Sequence, residues 1–355
     1  MKKASIIIAV DSEYSLINNF FEFFFKSHDY LEYEIIVVDD HCINIETISY
    51  LKQLKDEKKI DVLIRLSQKE GFGRANNIAI KHSSTDKLVL INTDIILCDN
   101  EITKLLDRMD ETDCDAIQPL LIYPQNGRIQ SCGHIFGHLF NRHAFENNKP
   151  DIFKDIKNIE RLAITPAFCI IKKKSFIEAG MFDIFYYNSF EALDLSLSLT
   201  LTGGKCFVAT DIISYHIRMA SRSNIDYNEE QQSPYFWEKY SSKVKNDYIE
   251  IIDSQFTNDI KSKKYICCCF THLDLVSELK KTGIQIEESI NLQHKGKIDL
   301  FGLLPFSLMQ TLYPLVFLCN NIGLMFGNEL WKELRSNPND LVIDSAGNVI
   351  HLCDM

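Results

Sequence analysis

No two cysteines in this chain are spaced Cys-x-x-Cys, although it contains 11 of them. Their number is odd and they are scattered from Cys42 to Cys353, which argues against a disulfide framework and for the reduced thiols of a cytoplasmic protein. Even the run Cys267-Cys268-Cys269 reads as a buried strand, because neighbouring strand residues point to opposite faces and cannot all reach one ion. Basic residues are also in short supply: 38 Lys and Arg face 49 Asp and Glu, a formal net charge of −11. A surface that acidic repels phosphate backbones, so nucleic acid is not expected as a partner. Internal repeats and low-complexity tracts are absent. The basic start, Met1-Lys2-Lys3, leads into a short apolar run that ends at Asp11, without a signal-peptide cleavage site, and reads as a first strand.

What the chain does have is an ordinary globular balance, 46% hydrophobic and 25% charged over 355 residues, which fits one large domain or one domain with an extension. Short β-branched runs alternate with stretches of helical spacing, which predicts an α/β fold with a mostly parallel, Rossmann-like sheet flanked by helices. Strands are predicted at Ser5 to Val10, Glu34 to Val38, Asp61 to Leu66 and Lys87 to Ile91. Ile17, Phe20, Phe21, Phe24 and Phe25 recur with a period near that of one buried helix face. Ligands of such sheets bind beyond the carboxyl ends of the strands. Acidic residues gather there: Asp11 after the first strand, Asp39 and Asp40 after the second, Asn92 and Asp94 after the fourth.

Asn92 and Asp94, one residue apart on extended backbone, face the same side and can share a Mg²⁺ or Mn²⁺ ion, whose remaining positions water and a diphosphate would fill. Alone, such a triplet is also a common turn or helix cap. The loop Gly71-Phe72-Gly73-Arg74-Ala75-Asn76-Asn77 follows the third strand and opens a helix. Its glycines allow a tight backbone, Arg74 offers a charge to a phosphate or a face to a base, and Asn76 and Asn77 can cap the helix or bond a ribose.

In order and spacing, Ser5-Ile6-Ile7-Ile8-Ala9-Val10, Val37-Val38-Asp39-Asp40, the glycine loop and Leu90-Ile91-Asn92-Thr93-Asp94 resemble the family-2 glycosyltransferases of GT-A fold. Pro119 to Gly133 is similar to the rhamnosyltransferase-like branch. The likeness continues through Thr165-Pro166-Ala167, Gly180 to Asp183, Glu191 to Leu195, Gly203-Gly204 and His216, and so spans about residues 4 to 218. It implies a nucleotide-sugar donor, UDP- or dTDP-linked, and a metal-dependent, inverting transfer to a glycan or lipid-linked acceptor in bacterial surface polysaccharide or glycoconjugate synthesis.

By the same resemblance Ala9, Val10 and Asp11 line the base and ribose pocket and Asp39 reads the edge of the base. Asp40, Gly71, Arg74, Asn76 and Asn92 complete the nucleotide site, and Asp94 with His216 holds the metal. Asp183 orients the acceptor or the sugar. The family reads Glu-Asp-x-Asp-Leu where this chain has Glu191-Ala192-Leu193-Asp194-Leu195, so its usual general base is missing. Glu191 is expected to take that part, with Asp194 next in line. Each of these residues also has a plain structural reading: a turn for Asp183, a helix start for Glu191 and Asp194, a core histidine for His216. The missing base keeps a catalytically silent sugar-nucleotide-binding protein in view. A nucleotidyltransferase is a weaker rival, since no basic glycine loop follows the first strand.

The catalytic domain is expected over residues 1–220, with a mainly helical extension over 221–355 that serves the acceptor, a second copy of the chain or a membrane. From Leu300 to Asn328 there is no charged residue, and a packed core or oligomer interface, an element lying on the inner face of the membrane, and a span all remain open. Asp340 to Leu352 predicts a hairpin turning at Ala346-Gly347-Asn348.

Overall fold

Ser5–Val10 is almost wholly aliphatic and forms strand β1, buried on both faces as the centre of a parallel sheet requires. A computed structural model describes residues 2–11, 13–137, 140–217, 229–270, 274–291, 313–320 and 337–354. The chain divides into two units, residues 1–134 with 149–244 and residues 135–148 with 245–355, where a single boundary near residue 220 was expected.

In the first unit, β1 pairs in parallel with β2 (Glu34–Asp39) and β4 (Lys87–Ile91), and β2 with β3 (Val62–Arg65), giving the order β4-β1-β2-β3. Helices α1 (Tyr14–Ser27), α2 (Ile45–Asp56) and α3 (Phe72–Lys81) make the crossovers. Helix α1 buries Ile17, Phe20, Phe21 and Phe24 in one core with Ile6, Ile8 and Val37. At roughly 2 kcal/mol per buried large apolar side chain, that stripe holds the helix on the sheet.

Beyond β4 the sheet is mixed. After β5 (Ile95–Ile96) and α4 (Glu101–Thr112) come β6 (Ala116–Ile122) and β7 (Ile129–Ser131), then β10 (Asn158–Arg161), β11 (Phe168–Lys172), α5 (Lys173–Glu178), α6 (Glu191–Thr200) and β12 (Cys206–His216). Strand β11 runs antiparallel between β4 and β6, and β12 lies parallel to β6. The last two residues of β12, Tyr215 and His216, pair with β5. Helix α7 (Glu229–Tyr240) closes the unit.

The second unit is not mainly helical. It opens on the inserted pair β8 (His134–Gly137) and β9 (Phe140–His143), continues through α8 (Tyr248–Asp253) and α9 (Asn258–Ser262), and then builds a sheet. Strands β13 (Lys264–Cys269), β14 (Gln285–Asn291), β15 (Leu315–Cys319) and β16 (Leu341–Asp344) are parallel in the order β14-β13-β15-β16, with α10 (Asp274–Lys281) between β13 and β14. Strand β17 (Val349–His351) turns back on β16 through the expected hairpin. Cys267 to Cys269 are buried in β13, and no disulfide joins the described cysteines. Within the uncharged Leu300–Asn328 stretch, Leu315–Cys319 is a buried strand rather than a helix; apart from 313–320, that stretch lies outside the described residues. Among the described residues no helix is long and apolar enough to cross a membrane.

Candidate functional site

The order β4-β1-β2-β3 reverses direction between β1 and β4, and the crevice beyond such a reversal is where open α/β sheets bind ligands. Asp94 follows β4 there and is buried. Ile217 donates its N–H to the Asp94 carbonyl at 2.9 Å, which seats the end of β12 against it and brings His216 Nε2 to 3.1 Å from Asp94 Oδ1. The distance is within ion-pair range, yet Asp94 Oδ1 has no hydrogen-bond partner among the described residues.

Gln130 explains the ring's orientation. Its Nε2 donates to the His216 carbonyl at 3.2 Å, so its Oε1 faces Nδ1 at 2.5 Å and Nδ1 carries a proton. A neutral imidazole then turns the Nε2 lone pair onto a carboxylate oxygen, two acceptors with nothing between them; a cation or a second proton relieves this. One imidazole nitrogen and one carboxylate oxygen fit Mg²⁺ or Mn²⁺ when phosphate and water supply the other ligands. Among the described residues no three His, Cys, Asp or Glu side chains converge as a complete cage. Asn92 adds a half-buried amide one residue before Thr93, its backbone N–H tied to the Ala167 carbonyl at 2.8 Å.

At the ends of β2 and β3, Asp39 accepts the Cys42 N–H at 2.7 Å and an Arg65 guanidinium N–H at 3.0 Å, while Arg65 also donates to the Cys42 carbonyl. Asp40 accepts the N–H groups of Glu70 and Gly71 at 2.7 and 2.9 Å. Burial raises the Asp40 pKa, against the pull of those two N–H groups. Asp40 thus anchors the glycine loop. Gly71 has φ +83°, and a Cβ on it would lie 2.6 Å from the Tyr187 ring, so glycine is required twice over. Lys69, next to that loop, pairs with Asp11 at 3.0 Å. Ala9 is half-buried, but the Val10 side chain lies in the hydrophobic core rather than in a pocket, leaving only its backbone near the crevice. Arg74 is exposed and pairs with Glu70. Asn76 bonds back to the Phe72 carbonyl within α3, and Asn77 exchanges two hydrogen bonds with the backbone of Phe182.

Through Asn77 the glycine loop is joined to the segment with the remaining carboxylates. Glu191 opens α6, is 3% exposed, and accepts the N–H groups of Asn188 and Ser189 at 2.5 and 2.6 Å. Asn188 in turn accepts the Phe72 N–H at the start of α3. Asp194 Oδ1 accepts from Lys239 at 2.6 Å, Tyr240 at 3.0 Å and Tyr186 at 3.3 Å. Burial and the Asp194 charge push the Tyr186 hydroxyl far above its ordinary pKa. Asp183 is only half-buried; it accepts the Phe185 N–H at 2.9 Å and the Tyr235 hydroxyl at 3.1 Å. Ala192 lines a small apolar cavity between α6 and the sheet with Leu90, Cys169, Phe182 and Leu195. Sequence reasoning missed Gln130, Lys69, Arg65 and Lys239. Of these, only Lys69 carried a local signal, its place beside the glycine loop.

Residues 5–179 match the family described as Glycosyl transferase family 2. Among curated proteins, the "Uncharacterized protein y4gI" of Sinorhizobium fredii (strain NBRC 101917 / NGR234) is 22% identical over 213 residues, 57% of this chain. The chain spans only 23% of that relative's length. The structure titled "Crystal structure of GalNAc-T7 with UDP, GalNAc and Mn2+" superposes with a TM-score of 0.55 at 15% identity, over 80% of this chain and 55% of that one. A mannosyltransferase, PcManGT from Pyrobaculum calidifontis in complex with GDP-Man and Mn2+, gives 0.47 at 12% identity, over 69% and 65%. At 15% identity the GalNAc-T7 likeness speaks for the fold alone, and the α/β sheet agrees with it. Residues 5–179 thus resemble the Glycosyl transferase family 2, and the first unit has the GT-A fold.

Proposed function

We propose that the first unit transfers a sugar, with inversion, from a UDP- or dTDP-sugar to a hydroxyl of a glycan or lipid-linked acceptor, as in the rhamnosyltransferase-like branch and in bacterial surface polysaccharide synthesis. The observation that carries this reading is the buried Asp94 oxygen without a hydrogen bond, facing the Nε2 of a histidine held by Gln130. Asp94 and His216 would hold Mg²⁺ or Mn²⁺, which when bound stabilises charge on the departing diphosphate. The strand-end carboxylates Asp11, Asp39, Asp40 and Asp94 with Glu70 outnumber the cations Arg65, Lys69 and Arg74, so a nucleoside diphosphate needs a cation here to bind at all.

Of the carboxylates expected to act on the acceptor, Asp183 is the one whose oxygens reach solvent. We assign the acceptor proton to it, the ordering of the 188–191 loop to Glu191, and the fastening of α7 to Asp194. Residues 221–355 serve the acceptor, a second copy of the chain or the cytoplasmic face of a membrane in this reading. The test is calorimetry and product analysis with a panel of UDP- and dTDP-sugars in Mn²⁺, on the full chain and on Asp94→Ala and Asp183→Asn. Metal-dependent binding lost in the first variant and turnover lost in the second support the reading. No binding by the full chain, or an unchanged Asp94→Ala variant, overturns it. A silent nucleotide-sugar-binding protein is the second reading, favoured by Ala192 facing an apolar cavity where the family places its base. Binding without product under every acceptor tried would select it.

A further inference from the structure

We infer that Phe185 and Tyr235 form an aromatic platform that stacks on a pyranose ring of the acceptor, so that the acceptor is recognised as a saccharide and not through a lipid tail. This deepens the proposed function and rests on it, naming what meets Asp183. All three residues lie beyond the stretch 5–179 that resembles the family, and Tyr235 belongs to α7.

The two rings are open and paired. Phe185 is 51% and Tyr235 37% exposed, with ring centroids 4.1 Å apart and planes at 37°. Adjoining exposed aromatics mark a place where an apolar surface docks. The platform is also braced. Buried Tyr186 meets Phe185 and Tyr235 edge-on at 5.9 and 5.5 Å, while Gln232 accepts the Tyr187 N–H at 2.9 Å and Lys239 holds Asp194 at 2.6 Å, which fastens α7. Rings fixed in advance lose little freedom on binding, as a weakly held neutral ligand requires. A carboxylate stands at the platform's edge: Asp183 accepts the Tyr235 hydroxyl on one oxygen and the Phe185 N–H on the other. A pyranose offers the matching surfaces, a C–H face for the rings and a rim of hydroxyls that donate to the carboxylate. Charge decides against other occupants. Lys239 is already paired with Asp194, and a chain of net charge −11 with a carboxylate at this edge repels anionic lipid headgroups and a second copy of itself.

The test is saturation-transfer NMR of the full chain with Mg²⁺ and UDP, using methyl β-D-glucopyranoside, methyl β-D-galactopyranoside and methyl α-L-rhamnopyranoside as probes. Saturation should concentrate on the C–H protons of one ring face of at least one probe. Phe185→Ala and Tyr235→Ala should each weaken that binding about 3- to 10-fold, as the loss of one aromatic contact does, while Tyr235→Phe keeps the ring and the binding. UDP affinity by calorimetry should be the same in all three variants. No transfer to any probe, or transfer unchanged in both alanine variants, while UDP still binds, overturns the platform and leaves the transferase reading standing. Sedimentation with vesicles of phosphatidylcholine and phosphatidylglycerol that Phe185→Ala abolishes, or a dimer that it disperses, overturns the platform as well, by assigning the patch to a bilayer or to a second copy. Failure to bind UDP overturns the transferase reading and the inference with it.

Discussion

Glu191→Gln separates a loop clamp from a general base. In the structure the carboxylate accepts the N–H groups of Asn188 and Ser189 at 2.5 and 2.6 Å, one on each oxygen, and is almost wholly buried. An amide can accept only one of them, and its NH₂ group would face the other N–H. A hydrogen bond to a charged group contributes about 1.5–3 kcal/mol, and a buried donor left unpaired costs about 1–3 kcal/mol. The interaction of the first-turn acid with the α6 dipole, a few tenths of a kcal/mol or more, is lost as well. The expected destabilisation is about 2–4 kcal/mol, or roughly 5–15 °C in Tm for a unit of this size. Thermal unfolding of the variant beside its single-turnover rate decides the matter. If Glu191 instead took the acceptor proton, turnover would fall by about 10²–10⁴ with Tm unchanged, and that result would refute the clamp.

Gln130→Leu removes the group that fixes the His216 ring, and Mn²⁺ affinity measured with UDP present should fall about 10- to 100-fold, as for other groups that orient a metal ligand; an unchanged affinity would count against His216 as a ligand. Gly71→Ala forces an L-residue to φ +83° and drives a methyl into Tyr187, so it should destabilise the first unit by at least 1–2 kcal/mol by the usual cost of a left-handed residue, seen as a lower urea midpoint.

Much of this was legible from local chemistry. Strands β1 and β4 fall on their predicted bounds because continuous β-branched runs flanked by polar residues have few other solutions. The hairpin of β16 and β17 and the buried Cys267 to Cys269 were readable in the same way. The sheet of the second unit was not. Leu315–Cys319 sits in a long uncharged stretch whose periodicity cannot tell a buried strand from a buried helix. Strand-end carboxylates could be found by position, but their partners could not. Gln130 reaches His216 from 86 residues away, and Lys239 reaches Asp194 from 45, distances over which only the folded topology selects a neighbour. For the same reason sequence spacing offered Glu191 as a base but could not show that its carboxylate accepts the Asn188 and Ser189 N–H groups of its own loop.

Two buried titratable groups predict opposite responses to acid in the two units. His28, beneath α4, accepts the Ile102 N–H on Nε2 at 3.3 Å, and burial lowers its pKa from 6.5 to about 4. A histidine depressed in the folded state contributes stability that is present above pH 6.5 and lost as pH falls from there towards 4. That shift corresponds to about 3 kcal/mol at full loss. Asp344, in the β16–β17 turn, is raised by burial to about 7, even though the Ala346 and Asn348 N–H groups and the Asn348 side chain donate to it. A carboxyl raised in the folded state contributes stability that is present below pH 3.8 and lost as pH rises through 7. Hydrogen exchange on the intact chain, corrected for intrinsic rates, should therefore show protection in α1 and β1 weakening from pH 7 to pH 5 while protection in β15 and β16 strengthens. His28→Gln should remove the first trend and Asp344→Asn the second. If protection in both units moves in the same direction over that interval, desolvation of these two groups does not govern their stability; the three N–H donors to Asp344 would then outweigh its burial.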